Sequence, residues 1–467
     1  MTSTTAETAT AVRAAGLPEQ AALEWSEAFP AGTGDYESDA QTFGAFWSRS
    51  AALLRSLPPK PRRNGVEQAA ADALLSLARA SREAFLAVHV DEIYARLTDR
   101  GSKFRRLDDL AYEAAKVVPG LVPTRQEVDA EAARRQGEKD GVEIDQGLFL
   151  AHVLARPRIG EHLCHAMLLP RPESAALAAE FAARGALDLG PARLARRGKA
   201  VHLDTINPRF LNAEDDTTLS MTELAVDVAT LDRTTDIAVM RGVEVSNEKY
   251  RGKRIFGAGI NLTHLYLGKI PFLWFLIRDL GYVHKLLRGV ASPESLPDDV
   301  NGRGAEKLWI AAVDAFAIGG HCQALLVMDY VLAASDAFLT LPARKEGIIP
   351  GFANLRLPRF VGDRIARQAI LYEHRLACDS PEGRLICDEI APADGMDEAI
   401  DRVVAGLTSA GAVSAIGNRR AFRVGQESLD FFRRYASVYA REQAYCHFSP
   451  ALIANLERNW DAKDRKV

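Results

Sequence analysis

Apolar side chains recur near a helical period from residue 40 to about residue 191. Between residues 69 and 97, for example, Ala73, Leu74, Leu77, Phe85, Leu86 and Tyr94 fall close to a 3.6-residue repeat, which predicts an amphipathic helix. Breaks are expected at Leu57-Pro58-Pro59-Lys60-Pro61 and in the charged stretch 125–145. From Gly198 the pattern changes. Short β-like runs at 200–206, 237–240, 308–313 and 337–341 alternate with helical stretches, including 321–332, and this alternation argues for an α/β architecture. After Asp394 the pattern is helical again, through 399–405 and 426–441. Residues 1 to about 40 are poor in large apolar side chains and predict a loosely held start.

Two glycine motifs stand out against this pattern. Gly257-Ala258-Gly259-Ile260 follows a strand-like run ending at Phe256, and Ile318-Gly319-Gly320-His321 follows the run 308–313. In each, glycine lets the backbone turn sharply and expose N–H groups, and the second motif opens into a helical run. Two convergent N–H donors, from Ile260 and Gly320, form a candidate oxyanion hole for a developing enolate.

These residues resemble the crotonase (enoyl-CoA hydratase/isomerase) superfamily. Its loops AG-(A/I)-(D/N)-L and GGG-x-E correspond to Ala258-Gly259-Ile260-Asn261-Leu262 and Gly319-Gly320-His321-Cys322-Gln323. Its entry segment matches Asn207-Pro208-Arg209-Phe210-Leu211-Asn212-Ala213, and its later G-x-x-P-G matches Gly347-Ile348-Ile349-Pro350-Gly351. The resemblance implies an α/β fold, a spiral of ββα units, with an added N-terminal helical domain over 1–195, an acyl-CoA-binding catalytic core over 196–393 and a helical C-terminal segment over 394–467. Such tails pack against neighbouring subunits in the superfamily, so a homo-oligomer, a trimer or hexamer, is expected.

The superfamily's hydratases add water with two glutamates. Here those positions hold Gln323 and Ala343, and neither can take up a proton at neutral pH. The combination of Gly-Ile-Asn-Leu-Thr-His-Leu-Tyr, Gly-Gly-His-Cys-Gln and Arg-Lys-Glu-Gly-Ile-Ile-Pro-Gly is instead similar to the branch of 3,5-dihydroxyphenylacetyl-CoA 1,2-dioxygenases. That resemblance implies cofactor-independent oxygenation of an aromatic acyl-CoA by O2, with CoA released and a glyoxylate formed on the way to dihydroxyphenylglycine for glycopeptide antibiotics. Carried over by position, Ile260 and Gly320 supply the oxyanion donors, Glu214 and Arg278 contact the ring hydroxyl region, Gln323 lies beside the reacting carbon, and Ile348 walls the oxygen pocket. No metal and no bound cofactor are implied.

Each of these residues also has a plainer reading. Arg278, inside an apolar helical run, could simply pair with Asp279 or reach the surface. Glu214 could be a first-turn helix acid after Asn212, Gln323 could cap its own backbone, and Ile260 and Ile348 could be ordinary core. Arg209, Lys253 and Arg254 are candidates for the CoA phosphates or are solvated charges. Rival activities are an isomerase or thioesterase acting on an aromatic acyl-CoA without O2, with His264 or Glu214 as base, and a non-catalytic CoA-binding scaffold. His89-Val90-Asp91 matches half of an iron site, and His162-Leu163-Cys164-His165 offers potential ligands; both lie in helical runs, where packing is the usual role.

Composition narrows the setting. A chain of 467 residues has room for about three domains, and its formal charge of −4 argues against a nucleic-acid surface. Five cysteines without a C-x-x-C pair suit reduced thiols in a cytosol. The first twenty residues lack an apolar signal-peptide core, and the longest apolar run, 270–277, is too short to span a bilayer. A soluble cytoplasmic protein that neither spans nor inserts into a membrane is therefore expected.

Overall fold

The computed structural model describes residues 5–16, 25, 29–297, 299 and 301–465. The rest of the expected loose start lies outside the described residues, while Thr5–Ala14 is helical and packs on the helix Gly65–Leu97. That long helix starts at a capping box in which Asn64 accepts from the Glu67 N–H and Glu67 reaches back to the Asn64 N–H. Further helices follow to Ser174–Arg184, with the expected break after Leu57. The charged stretch expected as a break contains the helix Arg125–Ala132, started by a second capping box between Thr124 and Glu127. Local capping there overrides a composition that reads as loop.

A seven-stranded sheet carries the second part. In spatial order its strands are Ala186–Asp188, Ala192–Arg197, Ala200–Thr205, Ile237–Gly242, Leu308–Val313, Tyr330–Ala334 and Glu389–Ala391. The first three run antiparallel and the remaining neighbours are parallel. Leu308–Val313 is buried at all but its first residue, as expected of a central parallel strand covered on both faces. In a second sheet Phe338–Thr340 lies between Phe316–Ile318 and Leu376–Ala377, and a bridge from Gly257 to Ala317 extends it. Twice the chain passes from the large sheet to the small one and into a short helix. Leu308–Val313 leads to Phe316–Ile318 and Gly320–Leu325, and Tyr330–Ala334 leads to Phe338–Thr340 and Ala343–Glu346. These are the ββα units expected of the spiral.

Because Gly257, Ala317 and Leu339 are neighbours in the small sheet, the loops that follow them emerge side by side. One corrected element lies here. The stretch 321–332, read as one helix, is the helix Gly320–Leu325 followed by the strand Tyr330–Ala334. The run ending at Phe256 is likewise loop with isolated bridges rather than a strand.

The C-terminal helices Met396–Thr408, Ala412–Gln426, Leu429–His447 and Pro450–Trp460 end the fold. The run 426–441 is broken at Glu427, a buried carboxylate that accepts from Arg356 Nε at 3.0 Å and Nη2 at 2.9 Å. Leu429–His447 lies along the buried helix Ile144–Ala155, with Ser437 Oγ donating to Ala151 O at 2.7 Å and Arg433 Nη1 to Leu154 O at 2.5 Å. One apolar core runs from Phe43 and Phe149 through Ile310 to Tyr439 and Leu456. Among the described residues no single helix is long and apolar enough to cross a membrane.

Candidate active site

The three loops from the small sheet, the helix Phe272–Leu280 and the helix Leu429–His447 enclose one cavity. Glu214, Ile260, Arg278, Gly320, Gln323 and Ile348 all line it, so every site residue expected from the sequence faces the same space. Ala343 faces it too, which places both substituted hydratase positions, 323 and 343, at its wall. The unfilled space is about 30 Å³, enough for a water-sized molecule. An aromatic acyl group is larger, so its binding requires side chains or loops in the wall to give way.

Ile260 is held by its neighbours. Glu214 N–H donates to Gly259 O at 2.7 Å and Asn261 N–H donates to Glu214 O at 2.8 Å. This parallel bridge uses the groups on either side of Ile260 and leaves its own N–H on the opposite side. Among the described residues neither that N–H nor the Gly320 N–H has an acceptor. Asn261 then starts the helix Leu262–Tyr266, accepting from Thr263 and His264 N–H and donating to Asp215 at 2.9 Å.

His321 joins the two glycine loops. Its Nδ1 accepts from Gly259 N–H at 3.1 Å, and burial pushes its pKa down to about 4, so the ring is neutral at physiological pH. A Cβ at Gly257 would lie 2.2 Å from the His321 ring, and one at Gly320 would lie 2.5 Å from Glu214 Oε2. Only hydrogen fits at either position.

Arg278 is 2 % exposed, and its guanidinium is fully engaged by the protein. Nε donates to Glu214 Oε2 at 2.8 Å, Nη1 to Asp279 Oδ1 at 2.6 Å and to Gln323 Oε1 at 3.1 Å, and Nη2 to Gly320 O at 2.5 Å. Arg278 therefore pairs with Asp279, as its plainer reading expected, and its side chain also lines the cavity. Glu214 takes a further bond from the Tyr282 hydroxyl. Burial pushes the Glu214 carboxyl up, but Arg278 beside it and the Tyr282 bond outweigh that and hold it below the usual carboxylate range. Burial raises Asp279 despite the opposing pull of Arg278.

Several contributors were not foreseen: Tyr282, Tyr439, Trp274, Phe275 and Glu346. Tyr282 lies four residues past Arg278, beyond a break at Gly281 between the helices Phe272–Leu280 and Tyr282–Arg288. Tyr439 arrives from a distant helix, and no local pattern announces it.

The other candidate ligands have structural partners. His89 pairs with Asp39 at 2.7 Å, whereas Asp91 points to solvent and pairs with Arg156 at 3.3 Å, so the two do not converge. His162 meets Tyr94 and Gly101 O, and His165 meets Ser292 O. Asp215, Asp216 and His264 lie close enough together to hold a metal ion, but Asp215 already accepts from Asn207, Asn261 and Thr217. His264 pairs with Asp216 at 2.6 Å and does not line the cavity. Arg209 and Lys253 are exposed, and Arg254 pairs with Asp204 at 3.6 Å.

The spiral of ββα units and its paired glycine loops define the crotonase class. A model of the enoyl-CoA hydratase/isomerase family matches residues 303–421. The chain is 45% identical over 393 residues to the (3,5-dihydroxyphenyl)acetyl-CoA 1,2-dioxygenase of Amycolatopsis orientalis, covering 84% of this chain and 89% of that protein. It is 30% identical over 174 residues to the fatty acid oxidation complex subunit alpha of Idiomarina loihiensis, covering 36% of this chain and 22% of that protein. The crystal structure of an enoyl-CoA hydratase from Mycobacterium avium subsp. paratuberculosis K-10 aligns with a TM-score of 0.46 at 20% identity, covering 58% of this chain and 98% of that one. The chain belongs to the enoyl-CoA hydratase/isomerase (crotonase) family, in the branch that includes the Amycolatopsis dioxygenase.

Proposed function

We propose that this protein is a metal- and cofactor-independent dioxygenase that converts 3,5-dihydroxyphenylacetyl-CoA and O2 to 3,5-dihydroxyphenylglyoxylate and CoA, in the formation of dihydroxyphenylglycine. The observation that carries the reading is the convergence of Ile260, Gly320, Glu214, Arg278, Gln323 and Ile348 on one cavity whose hydratase positions are Gln323 and Ala343. The 45% identity to the Amycolatopsis dioxygenase supports the choice of substrate.

The chemistry follows from the substrate's acidity. Both the thioester and the aryl ring acidify the Cα–H, and N–H donors from Ile260 and Gly320 stabilise the charge that develops on the thioester oxygen. The ring hydroxyls meet Arg278 and Glu214, an anchor that fixes Cα in one orientation. The enolate gives an electron to O2, and recombination leaves a peroxide on Cα. The peroxide attacks the thioester carbonyl and expels CoA thiolate; cleavage of the O–O bond with loss of the second Cα proton gives the α-keto acid. Gln323 and Ile348 border the reacting carbon and the oxygen. Glu214 is held ionised by its bonds to Arg278 and Tyr282 and is an anchor rather than a base. The division at about residues 195 and 393, a homo-oligomeric assembly and a cytoplasmic location belong to the same proposal.

The test is oxygen uptake and CoA release by the purified protein with 3,5-dihydroxyphenylacetyl-CoA after chelation and metal analysis. Coupled uptake and release are expected. CoA release without O2 uptake would make the protein a thioesterase, and binding without turnover would make it a scaffold.

A further inference from the structure

The oxygenation sequence needs a group that receives the Cα proton. Glu214 is neutralised by Arg278, and Gln323 is an amide whose oxygen accepts from Arg278. A third carboxylate faces the same cavity and stands outside that network. Glu346 is 6 % exposed and lines the cavity, and among the described residues its side chain has neither a hydrogen-bond donor nor an ion-pair partner. We propose that Glu346 is the general base that removes the Cα proton of the arylacetyl thioester, an assignment that rests on the oxygenase reading above.

The geometry comes from the second ββα unit. The strand Phe338–Thr340 delivers the short helix Ala343–Glu346 to the cavity, and residues three apart on a helix share a face. Ala343, at the position of the lost hydratase glutamate, and Glu346 both reach the cavity wall. A carboxylate thus returns to the site one turn further along. The C-terminal helix Pro450–Trp460 packs against this turn, with Asn459 Nδ2 donating to Lys345 O at 3.0 Å. Ile349, just beyond, donates its N–H to Gln443 Oε1 at 2.9 Å.

An unpartnered buried carboxylate costs stability when ionised, and no structural bond here offsets the cost. Burial, and then the like charge of Glu373, push its pKa up to about 7, where a carboxyl is matched to proton transfer near neutrality. The charged groups around it are otherwise engaged. Glu373 is paired with Lys345 at 2.9 Å, Arg278 with Glu214 and Asp279, and Glu457 of the C-terminal helix with Tyr266 and Lys463.

In the proton-transfer step the Cα–H bond breaks and the proton passes to a Glu346 oxygen. The electron pair stays on Cα and spreads to the thioester oxygen between Ile260 and Gly320. O2 is the oxidant of the next step. The proton held by Glu346 is then available to the departing CoA thiolate, which restores the carboxylate, while the second Cα proton goes to water.

Two readouts test this: Cα hydrogen–deuterium exchange of 3,5-dihydroxyphenylacetyl-CoA in D2O without oxygen, followed by NMR, and O2 uptake in air. With the unmodified protein both are expected to rise with pH through about 7. Glu346→Gln should lower both by roughly 100-fold or more while leaving substrate affinity unchanged, and Glu346→Asp should retain part of the rate. Exchange or O2 uptake at the unmodified rate in Glu346→Gln overturns the assignment, as does a flat profile between pH 5.5 and 8.5 in the unmodified protein, a readout that does not depend on any variant folding. If the unmodified protein exchanges deuterium and Glu346→Gln does not, but neither takes up O2, the oxygenase reading fails and the base stands. If it takes up O2 and Glu346→Gln does so equally, the base fails and the oxygenase reading stands.

Discussion

Every Arg278 nitrogen donates to a protein acceptor, so its substitution has two consequences that separate by variant. Arg278→Ala leaves the carboxylates of Glu214 and Asp279 buried beside each other, and breaking a buried pair costs about 3–5 kcal/mol. Arg278→Lys keeps the charge between them but loses the planar fork. The lysine variant is expected to retain most of the melting temperature while losing roughly 100-fold in kcat/KM for the dihydroxy substrate, and thermal melts with steady-state kinetics check both. The plain readings of the other residues fare differently. Glu214 precedes the helix Leu219–Leu231 by five residues and bridges to Ile260, so it is no first-turn acid. Gln323 does not cap its own backbone but accepts from Arg278. These side chains were candidates because their positions match the motifs of the dioxygenase branch, and Arg278 also because it is a charge within an apolar run; their partners were not legible, because a hydrogen bond across the cavity leaves no trace in local spacing.

The elements were legible in proportion to how local their causes are. The strands at 237–242 and 308–313 and the long helix Gly65–Leu97 follow from burial pattern and capping within the segment. The stretch 321–332 failed because a short apolar run buried on all sides has no period, and a helix and a strand then look alike. The helical run at 426–441 holds from Leu429 onward, but its start is broken, for a different reason. Glu427 leaves the helical path to meet Arg356 and Arg359, an ion cluster formed across the fold. Glu427→Ala would strand the Arg356 guanidinium, whose side chain is 1% exposed. The expected loss is about 3–5 kcal/mol of stability by denaturant unfolding, with Glu427→Asp milder.

Across the whole molecule, the last helices complete both the core and the site. Leu429–His447 packs along Ile144–Ala155, supplies Tyr439 to the cavity wall and holds the loop at 349–352 through Gln443 and Tyr435. A chain ending at Gln426 is therefore expected to lose cooperative thermal unfolding, not merely an appendage. Circular dichroism on heating, compared with the full chain, measures this; an unchanged cooperative transition would mean that the core closes without those helices. What the order of residues determined alone is the set of tight turns, the two glycine loops, the missing hydratase carboxylates and the succession of helical and α/β segments, since each depends on steric or chemical properties of neighbouring residues. Only the tertiary structure decided that Arg278 both joins an ion pair and lines the cavity, that Tyr439 completes the cavity wall while Tyr282 holds Glu214, and that Glu346 faces the cavity unpartnered. Those outcomes depend on packing between segments far apart in the chain, where the free energy of burial, rather than any local preference, sets which side chains meet.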